Sequence, residues 1–263
     1  MKYFHAMEQI RNHFPFENYI RENKFGDIYQ TVFSITKKYL PKKSKVLDFG
    51  SGPCDKTALI SLLGHHCVAY DDLQDAWHKE HDNRKNILNF SEKFGIEYVD
   101  ASKHNMDFKG MTFDMIVMTD VIEHLHESPK NILLKLLSSL NDDGVLFITV
   151  PNAGNIRKRV DLLRGRTNLP PFSSYYWYPG LWRGHIREYV YKDLTELAVF
   201  LDLEIKLLRG SDHMLSKVPV AFLPLYKFIT AIFPRWKDSW TLIAKKNKNW
   251  SPLLEEISIS NNR

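Results

Sequence analysis

The stretch KVLDFGSGPCD, residues 45–55, places two closely spaced glycines after an acidic residue. Gly50 and Gly52 lack a Cβ, so the backbone there can pass close beneath a ligand. A dinucleotide loop has the pattern G-x-G-x-x-G and rests a pyrophosphate on the N-terminus of the following helix. Here Asp55 stands in place of the third glycine and Asp48 precedes the loop. Because two carboxylates would repel a pyrophosphate, the loop favours a ligand with an ammonium or sulfonium group.

Histidines in two later stretches could act as a general base. His124 and His126 lie in VIEHLHE, directly after an apolar run, and His185 lies in GHIREY together with Arg187 and Tyr189. Histidine suits this task because its unperturbed pKa is close to physiological pH, and a hydroxyl acceptor needs a group that takes its proton. Each histidine could equally have a structural role, at the start of a helix or in a hinge, and the sequence leaves this open.

The composition is that of a globular enzyme. Of 263 residues, 44% are hydrophobic and 25% are charged, so one large α/β domain with additions is expected. The formal charge of +5 is small for a nucleic-acid-binding protein and is not gathered into one basic run, so no nucleic-acid partner is predicted. Cys54 and Cys67 lack metal-ligand spacing, and no metal site is predicted.

Two features predict a cytoplasmic location. The first residues, MKYFHAMEQIRNHF, lack the cationic and apolar parts of a secretory signal, and no apolar run approaches the roughly 18 to 20 residues that span a bilayer. The two cysteines give no disulfide framework, which agrees with a reducing compartment.

Apolar spacing divides the chain into an N-terminal helical cap, a main domain and a tail. Residues 1–40 carry helix-period apolar positions, and residues 247–263 are typical of a flexible tail. Between them, short apolar runs alternate with amphipathic stretches, a pattern that favours a parallel sheet with right-handed crossovers. The predicted strands are residues 45–49, 66–71, 96–100, 113–118, 145–150, 203–209 and 240–246, with the last two paired at the edge of the sheet.

Several motifs in this order resemble those of the class I S-adenosylmethionine-dependent methyltransferases. The acid-x-Gly-x-Gly-x-Gly motif matches Asp48, Gly50 and Gly52, although Cys54 replaces the third glycine, so its side chain must point away from the ligand. CVAYDD and YVDAS are similar to the next two motifs. FDMIVMTDVIEHL and LLSSLNDDGVLFITVPN resemble the fourth- and fifth-strand motifs of the O-methyltransferase branch that includes ubiquinone-pathway enzymes. The resemblance covers residues 40–210.

This resemblance implies a Rossmann-like, mostly parallel sheet of seven strands with an antiparallel last strand and helices on both faces. It implies S-adenosylmethionine as the cofactor, and methyl transfer to a small-molecule or glycan-type acceptor, most simply at oxygen. The implied cofactor-binding residues are Asp48, Gly50, Gly52, Asp71, Asp100, Ala101 and Thr119. The candidate catalytic residues are His124, His185 and Arg187.

Asp71 and Asp72 compete for the ribose of the cofactor. A ribose diol needs a carboxylate that accepts two hydrogen bonds, and the residue that closes the strand is better aimed at it, so we choose Asp71. Asp100 could instead cap a turn, and Asp48 could be an acid that bonds to its own loop.

The segment 151–191 is rich in aromatic and basic residues and is expected to form a lid or an acceptor pocket. Its run PPFSSYYWYPGLW, residues 170–182, could stack on a sugar or a ring. A basic cluster is either a solvated helix face or a clamp for a phosphate-bearing acceptor; its members are Arg157, Lys158, Arg159, Arg164 and Arg166. We favour the solvated face.

The apolar insert 218–234 is too short and too interrupted by proline to span a membrane. It is expected to be core or to line a homodimer, and contact with a membrane surface is the less favoured alternative.

Two other functions remain open. A nucleic-acid methyltransferase would usually carry an Asn/Asp-Pro-Pro-aromatic motif where this chain has Thr119-Asp120-Val121-Ile122. An inactive protein that only binds the cofactor would keep the glycine loop.

Overall fold

A seven-stranded sheet forms the centre of the computed structural model, which describes residues 1–20, 27–103, 108, 110–167, 169–215 and 218–255. The strands are β1 (Lys45–Phe49), β2 (His66–Asp71), β3 (Glu97–Asp100), β4 (Phe113–Thr119), β5 (Leu140–Pro151), β6 (Leu203–Ser211) and β7 (Ser239–Lys246). Their order across the sheet is β3-β2-β1-β4-β5-β7-β6. β7 runs antiparallel to its neighbours β5 and β6, and the other adjacent strands are parallel. The predicted Rossmann-like α/β fold class is confirmed.

Two helices precede β1, and the connections between strands carry the others. These are α1 (Tyr3–His13), α2 (Ile28–Tyr39), α3 (Asp55–Leu62), α4 (Ala76–Lys79), α5 (Asn83–Lys93), α6 (Pro129–Ser138), α7 (Ile156–Leu163), α8 (Phe172–Tyr176), α9 (Tyr191–Phe200) and α10 (Leu223–Ile232). Short 3-10 helices cover Ile122–His124, Val220–Phe222 and Pro234–Trp236. The Ser128 side chain caps α6 by accepting a hydrogen bond from the backbone N–H of Lys130.

Both faces of the central strands are covered, which explains why β1 and β4 are buried almost throughout. In β1, Leu47 belongs to a core cluster that includes side chains of α6 and α9, whereas its neighbour Val46 belongs to a cluster that includes side chains of α1, α2 and α3. Successive strand residues point to opposite faces, so a strand between two helical layers has no polar side.

The N-terminal helices α1 and α2 pack against α3, the helix that follows the glycine loop. Asp27 caps α2 by accepting a hydrogen bond of 2.7 Å from the backbone N–H of Gln30. Two residues further on, the Tyr29 hydroxyl donates a 2.7 Å hydrogen bond to the buried carboxylate of Asp55 at the start of α3. This contact connects the cap directly to the loop that the sequence singles out.

Two expectations at the C-terminal end differ in part from the structure. In α10, Tyr226 and Thr230 are buried, whereas Leu225 and Phe228 on the other face are 55% and 65% exposed, so the insert is core on one face only, and the homodimer surface stays a prediction. The tail residue Trp250 donates a 2.7 Å hydrogen bond from its indole N–H to the Leu201 carbonyl. The described part of the tail, residues 247–255, is therefore held against the domain; residues 256–263 lie outside the described residues.

β5 begins at Leu140, five residues earlier than predicted, because Leu140 already pairs with Phe113 of β4 across an irregularity in the register. Residues Asn141 to Gly144 lie inside this strand. Within the described part of the chain, no helix is long and apolar enough to cross a membrane.

Candidate active site

A cavity of about 510 Å³ opens beside the carboxyl ends of β1, β2 and β4. Ligand sites typically measure roughly 300–1,000 Å³, and in open parallel sheets they lie at this edge. The predicted site residues on its wall are Gly50, Gly52, Asp71, Ala101, Thr119 and His124. The predicted residues that lie outside the described wall are Asp48, Asp100, His185 and Arg187.

The glycine loop turns sharply beneath the cavity with three residues in the left-handed region. Gly50, Gly52 and Cys54 have φ angles of +72°, +53° and +64°. Gly50 also passes close to the loop after β4, because a Cβ there would stand 2.6 Å from a methyl carbon of Val121. The Cys54 side chain is fully buried in the core behind the loop, so it points away from the cavity as the sequence requires.

Asp71 ends β2 and fixes the loop from the side. Its Oδ2 accepts a 2.8 Å hydrogen bond from the backbone N–H of Gly52, and its Oδ1 accepts one of 2.8 Å from Leu73. Burial raises the pKa of this carboxyl. Each carboxylate oxygen can accept a second hydrogen bond, which leaves Asp71 able to receive a diol. Asp72 also faces the cavity, but it is paired with the Arg183 guanidinium at 2.8 Å.

Asp48 lies beneath the loop with no exposed surface. Its Oδ2 accepts a 2.5 Å hydrogen bond from the Thr57 hydroxyl, while Oδ1 has no partner among the described residues. Burial raises the pKa of Asp48 to about 6, although the Thr57 hydrogen bond and the Lys56 charge lower it. Asp48 therefore lies beneath the glycine loop and does not line the cavity.

Asp100 ends β3 and caps the following turn. Its Oδ1 accepts hydrogen bonds from the backbone N–H and the hydroxyl of Ser102, at 3.0 Å and 2.6 Å, and its Oδ2 pairs with Arg84 at 2.5 Å. The alternative role raised from the sequence is therefore the one seen, whereas the next residue, Ala101, faces the cavity.

Three wall residues were not anticipated as ligand-binding groups. Lys56 lies in the first turn of α3 with its ammonium 3.4 Å from Asp55, and Tyr19 reaches the wall from the N-terminal part of the chain. Asp120 follows β4 with a φ of +56° and accepts a 3.3 Å hydrogen bond from the Thr149 hydroxyl. Burial raises the pKa of Asp120, and the charge of Lys56 opposes that rise. A lysine and an aspartate on one wall suit a zwitterionic amino-acid group.

His124 is the predicted base that reaches the cavity. Its Nδ1 lies 2.8 Å from the Arg183 carbonyl oxygen. A carbonyl only accepts, so we assign the proton of the neutral ring to Nδ1, which leaves the lone pair on Nε2. Burial is the main cause that lowers the pKa of His124.

His185 stands behind His124 rather than on the wall. The two rings meet edge to face with centroids 4.8 Å apart, and Nδ1 of His185 lies 2.7 Å from a carboxylate oxygen of Glu188. Arg187 lies on the surface, where it pairs with Asp193 at 3.5 Å, so the structure does not support a direct catalytic role for Arg187.

Residues 182–188 form a strap beside the cavity, and Arg183 lines its wall. Arg183 contacts Asp72 and Asp75 in the loop after β2, at 2.8 Å and 2.5 Å. On the other side, the backbone N–H of Ile186 donates a 2.7 Å hydrogen bond to the carbonyl of Glu123. The strap thereby joins the loops after β2 and β4.

The aromatic and basic parts of segment 151–191 separate in space. Trp182 meets Tyr175 and Tyr178 edge to face at 5.3 Å and 5.1 Å, and its carbonyl lies 2.6 Å from Nε2 of the wall residue His126. The basic cluster sits on and after α7. None of its five members belongs to the described cavity wall; Arg164 and Arg166 are exposed, whereas Lys158 pairs with Glu188 and Arg159 lies over the Trp236 ring, so only part of the cluster is a solvated face.

Comparison with known proteins assigns the family. A family model described as a methyltransferase domain matches residues 18–205, which is more than half of the chain. The chain belongs to the methyltransferase-domain family. S-adenosylmethionine, the cofactor predicted from the sequence, is the cofactor of this family. The match is to a methyltransferase domain in general and does not confirm the resemblance to the ubiquinone-pathway branch. No curated protein sequence matches this methyltransferase-family chain significantly.

Solved structures of methyltransferases share the fold at low sequence identity. A 1,6-didemethyltoxoflavin-N1-methyltransferase from Burkholderia thailandensis, crystallised with S-adenosylhomocysteine, aligns with a TM-score of 0.52 and 17% identity over 84% of this chain and 78% of that one. TehB from Haemophilus influenzae aligns with a TM-score of 0.54 and 18% identity over 84% of this chain and 63% of that one. The magnesium protoporphyrin IX methyltransferase from Synechocystis, crystallised with S-adenosylhomocysteine, aligns with a TM-score of 0.50 and 14% identity over 93% of this chain and 94% of that one.

The residues on the wall fit this cofactor. Asp71 can accept from a ribose diol, Lys56 offers a cation for a carboxylate, and Asp120 offers an anion for an ammonium or a sulfonium. A Cβ added at Gly52 would meet no atom within 4 Å, so the backbone there borders open space in which a ligand can approach.

Proposed function

We propose that this methyltransferase transfers the methyl group of S-adenosylmethionine to a hydroxyl oxygen of a small-molecule or glycan-type acceptor. The observation that supports oxygen as the acceptor atom is the position of His124. It lies on the cavity wall, and its Nδ1 is committed to the Arg183 carbonyl, so its Nε2 is available to take a proton. A hydroxyl loses a proton on methylation and benefits from such a group.

When bound, the cofactor supplies an electrophilic methyl group on a positively charged sulfur. The protein then has to position the acceptor in line with that methyl and remove its proton. Asp71 and the glycine loop hold the nucleoside, Lys56 and Asp120 hold the amino-acid tail, and His124 receives the proton of the hydroxyl.

The aromatic group Trp182, Tyr175 and Tyr178 favours an acceptor with a sugar or a ring. The Trp182 carbonyl contacts the wall residue His126, so the group lies beside the cavity. Aromatic faces stack well on sugars and rings. We place this activity in polysaccharide or natural-product modification in the cytoplasm. Cys54 and Cys67 are both free and buried, which is compatible with a reducing compartment.

A labelled-methyl transfer assay against pools of sugar and phenolic acceptors tests this function. We expect methylated hydroxyls, and we expect His124→Gln to lower kcat by about 10²- to 10⁴-fold, the usual contribution of a general base. The affinity for S-adenosylhomocysteine should stay within threefold, because the proton acceptor is not needed to hold the product. His126→Gln serves as the matched comparison on the same wall.

Three outcomes would contradict the proposal. Transfer to amines or nucleic acid alone would make the acceptor class wrong. Loss of turnover in His126→Gln but not in His124→Gln would assign the base to the other histidine. Tight cofactor binding without transfer to any pool would favour a protein that only binds the cofactor.

A further inference from the structure

The helix α10 and the short 3-10 helices on either side of it expose an apolar stripe. Every exposed residue from Pro219 to Pro234, all of them in the described part of the chain, is apolar. Four large side chains at helical spacing form the stripe, and each is more than half exposed: Phe222, Leu225, Phe228 and Ile232. We propose that this stripe docks on the surface of a membrane that contains anionic lipids. This inference concerns binding of the chain to lipid and goes beyond the proposed methyl transfer.

The orientation of α10 gives the first reason. A surface helix normally turns its apolar side toward the core and its polar side toward water. In α10 the buried residues are Tyr226 and Thr230, and the Tyr226 hydroxyl donates a 2.9 Å hydrogen bond to Asp212. Tyr226 also packs with Leu215 and Val218, so the helix is held with its more apolar side outward. Contiguous exposed apolar patches of this kind usually mark an interaction surface.

The charges around the stripe give the second reason. The sequence carries no acidic residue between Asp212 and Asp238, where its charged residues are all cations: Lys217, Lys227, Arg235 and Lys237. The exposed Arg159 of α7 adds a further cation, because its guanidinium carbon lies 5.2 Å from the centre of the Trp236 ring just after α10. Anionic headgroups attract such cations while the hydrocarbon beneath them receives apolar side chains. The stripe and its cations therefore complement an anionic lipid surface.

The same features argue against a protein on this surface. A symmetric dimer places the same patch on both subunits, so it would bring together two cationic borders that include Arg159 and Arg235. A protein interface also carries roughly one hydrogen bond per 100–200 Å². The exposed side chains from Pro219 to Pro234, all described, offer no hydrogen-bonding group, whereas acyl chains require none. The charges thus favour the membrane surface, which the apolar composition alone ranked below a homodimer.

The length of α10 determines how it would bind lipid. It has 10 residues, which is about 15 Å at the rise of an α-helix. A helix of this length cannot cross a hydrocarbon core of about 30 Å. It would lie in the plane of the interface, with its apolar side about 5 to 10 Å deep at the boundary between headgroups and acyl chains.

Flotation of the full chain with vesicles tests the docking surface. One set of vesicles contains phosphatidylcholine alone, and the other contains equimolar phosphatidylcholine and phosphatidylglycerol. We expect binding to the mixed vesicles and at least about tenfold weaker binding to the neutral set, because several cations border the stripe. Binding to the mixed vesicles should fall as salt is raised, since salt screens these charges.

Variants at the stripe and at its border separate the two contributions. Phe228→Ser should weaken binding to the mixed vesicles at least about fivefold, because an inserted aromatic ring is lost. Arg235→Gln should weaken it about fivefold, the effect of one cation near an anionic surface. Phe4→Ser is the matched control and should bind like the wild type, since Phe4 is an exposed phenylalanine of α1 outside the stripe.

Amide hydrogen exchange of the wild-type chain locates the surface without any variant. On the mixed vesicles, exchange should slow over residues 220–236 and stay unchanged in α1. Absence of binding, equal binding to both vesicle sets, protection elsewhere alone, or equal losses in Phe4→Ser and Phe228→Ser would each overturn the proposal. A dimer in sedimentation that Phe228→Ser converts to a monomer, without vesicle binding, would assign the stripe to a second copy of the chain. Each of these results leaves the methyltransferase function standing, because cofactor binding and methyl transfer are measured separately.

Discussion

Asp71 is the residue on which cofactor affinity should depend most. It closes β2 on the cavity wall and also holds Gly52 in place. We expect Asp71→Ala to weaken S-adenosylhomocysteine binding at least tenfold, about 1.4 kcal/mol. Calorimetric titration measures this change. Asp72→Ala is the control, because the Asp72 carboxylate is occupied by Arg183 and should cost less affinity; the reverse order of the two effects would show that Asp72 binds the ribose.

Asp48 should make the cofactor-free protein less stable as the pH rises. Burial raises the pKa of Asp48 to about 6 from an ordinary value of 3.8, so the folded chain holds this proton more tightly than the unfolded chain. Its stabilising effect is complete below the unfolded pKa and is lost as the pH rises through about 6.

Asp48→Asn should remove this loss, because the amide stays neutral and its oxygen can still accept from the Thr57 hydroxyl. At pH 7.5 the free energy of unfolding should rise by up to ~3 kcal/mol relative to the wild type. At pH 4 the two proteins should differ much less. Urea unfolding at both pH values measures the change, and an equal difference at the two would contradict the account.

Individual site residues could be predicted where they follow a strand in a recognisable motif. Asp71, Gly50 and His124 all satisfy this condition, and the structure places them on one wall. Arg183 could not be found in this way. It meets Asp75 across 108 residues of sequence, and no local pattern marks an arginine in a loop as part of a wall. Lys56 likewise has the sequence context of an ordinary helix N-terminus.

At the scale of elements, the glycine loop should tolerate a side chain at one glycine far less than at the other. Gly50→Ala places a Cβ 2.6 Å from Val121 in a residue with φ of +72°. Gly52→Ala meets no atom within 4 Å, but its φ of +53° still carries the left-handed strain of about 1 to 2 kcal/mol. Thermal unfolding should therefore show a larger loss of stability for Gly50→Ala. Equal losses would mean that Val121 moves aside freely.

The central strands β1, β2 and β4 were predicted closely because they are buried on both faces and are therefore short, largely apolar runs. The insert 218–234 shows the limit of that logic. Its apolar composition favours core or a homodimer surface, and α10 has one buried face, with Tyr226, and one exposed face, with Leu225 and Phe228. Hydropathy records how apolar a segment is and not which surface covers it. The early start of β5 was also missed, because its first residues are polar.

The whole molecule places its chemistry at one edge of the sheet. The loops after β1, β2 and β4 meet there, the N-terminal region adds Tyr19, and the strap 182–188 joins the loops after β2 and β4. The alternation of strands and helices predicted the sheet, because parallel strands need crossovers. It could not predict that the cap and the strap, which are distant in sequence, would complete the wall.

Calorimetric titration of the purified chain with S-adenosylhomocysteine tests the central claim most directly. The account predicts one-to-one binding that is weakened at least tenfold by Asp71→Ala. Such a result would place the nucleoside beside β2 and leave the acceptor as the remaining question. Absence of binding by a folded protein would contradict the account, because a cavity lined by Asp71, Lys56 and Asp120 would then not serve the cofactor of its family.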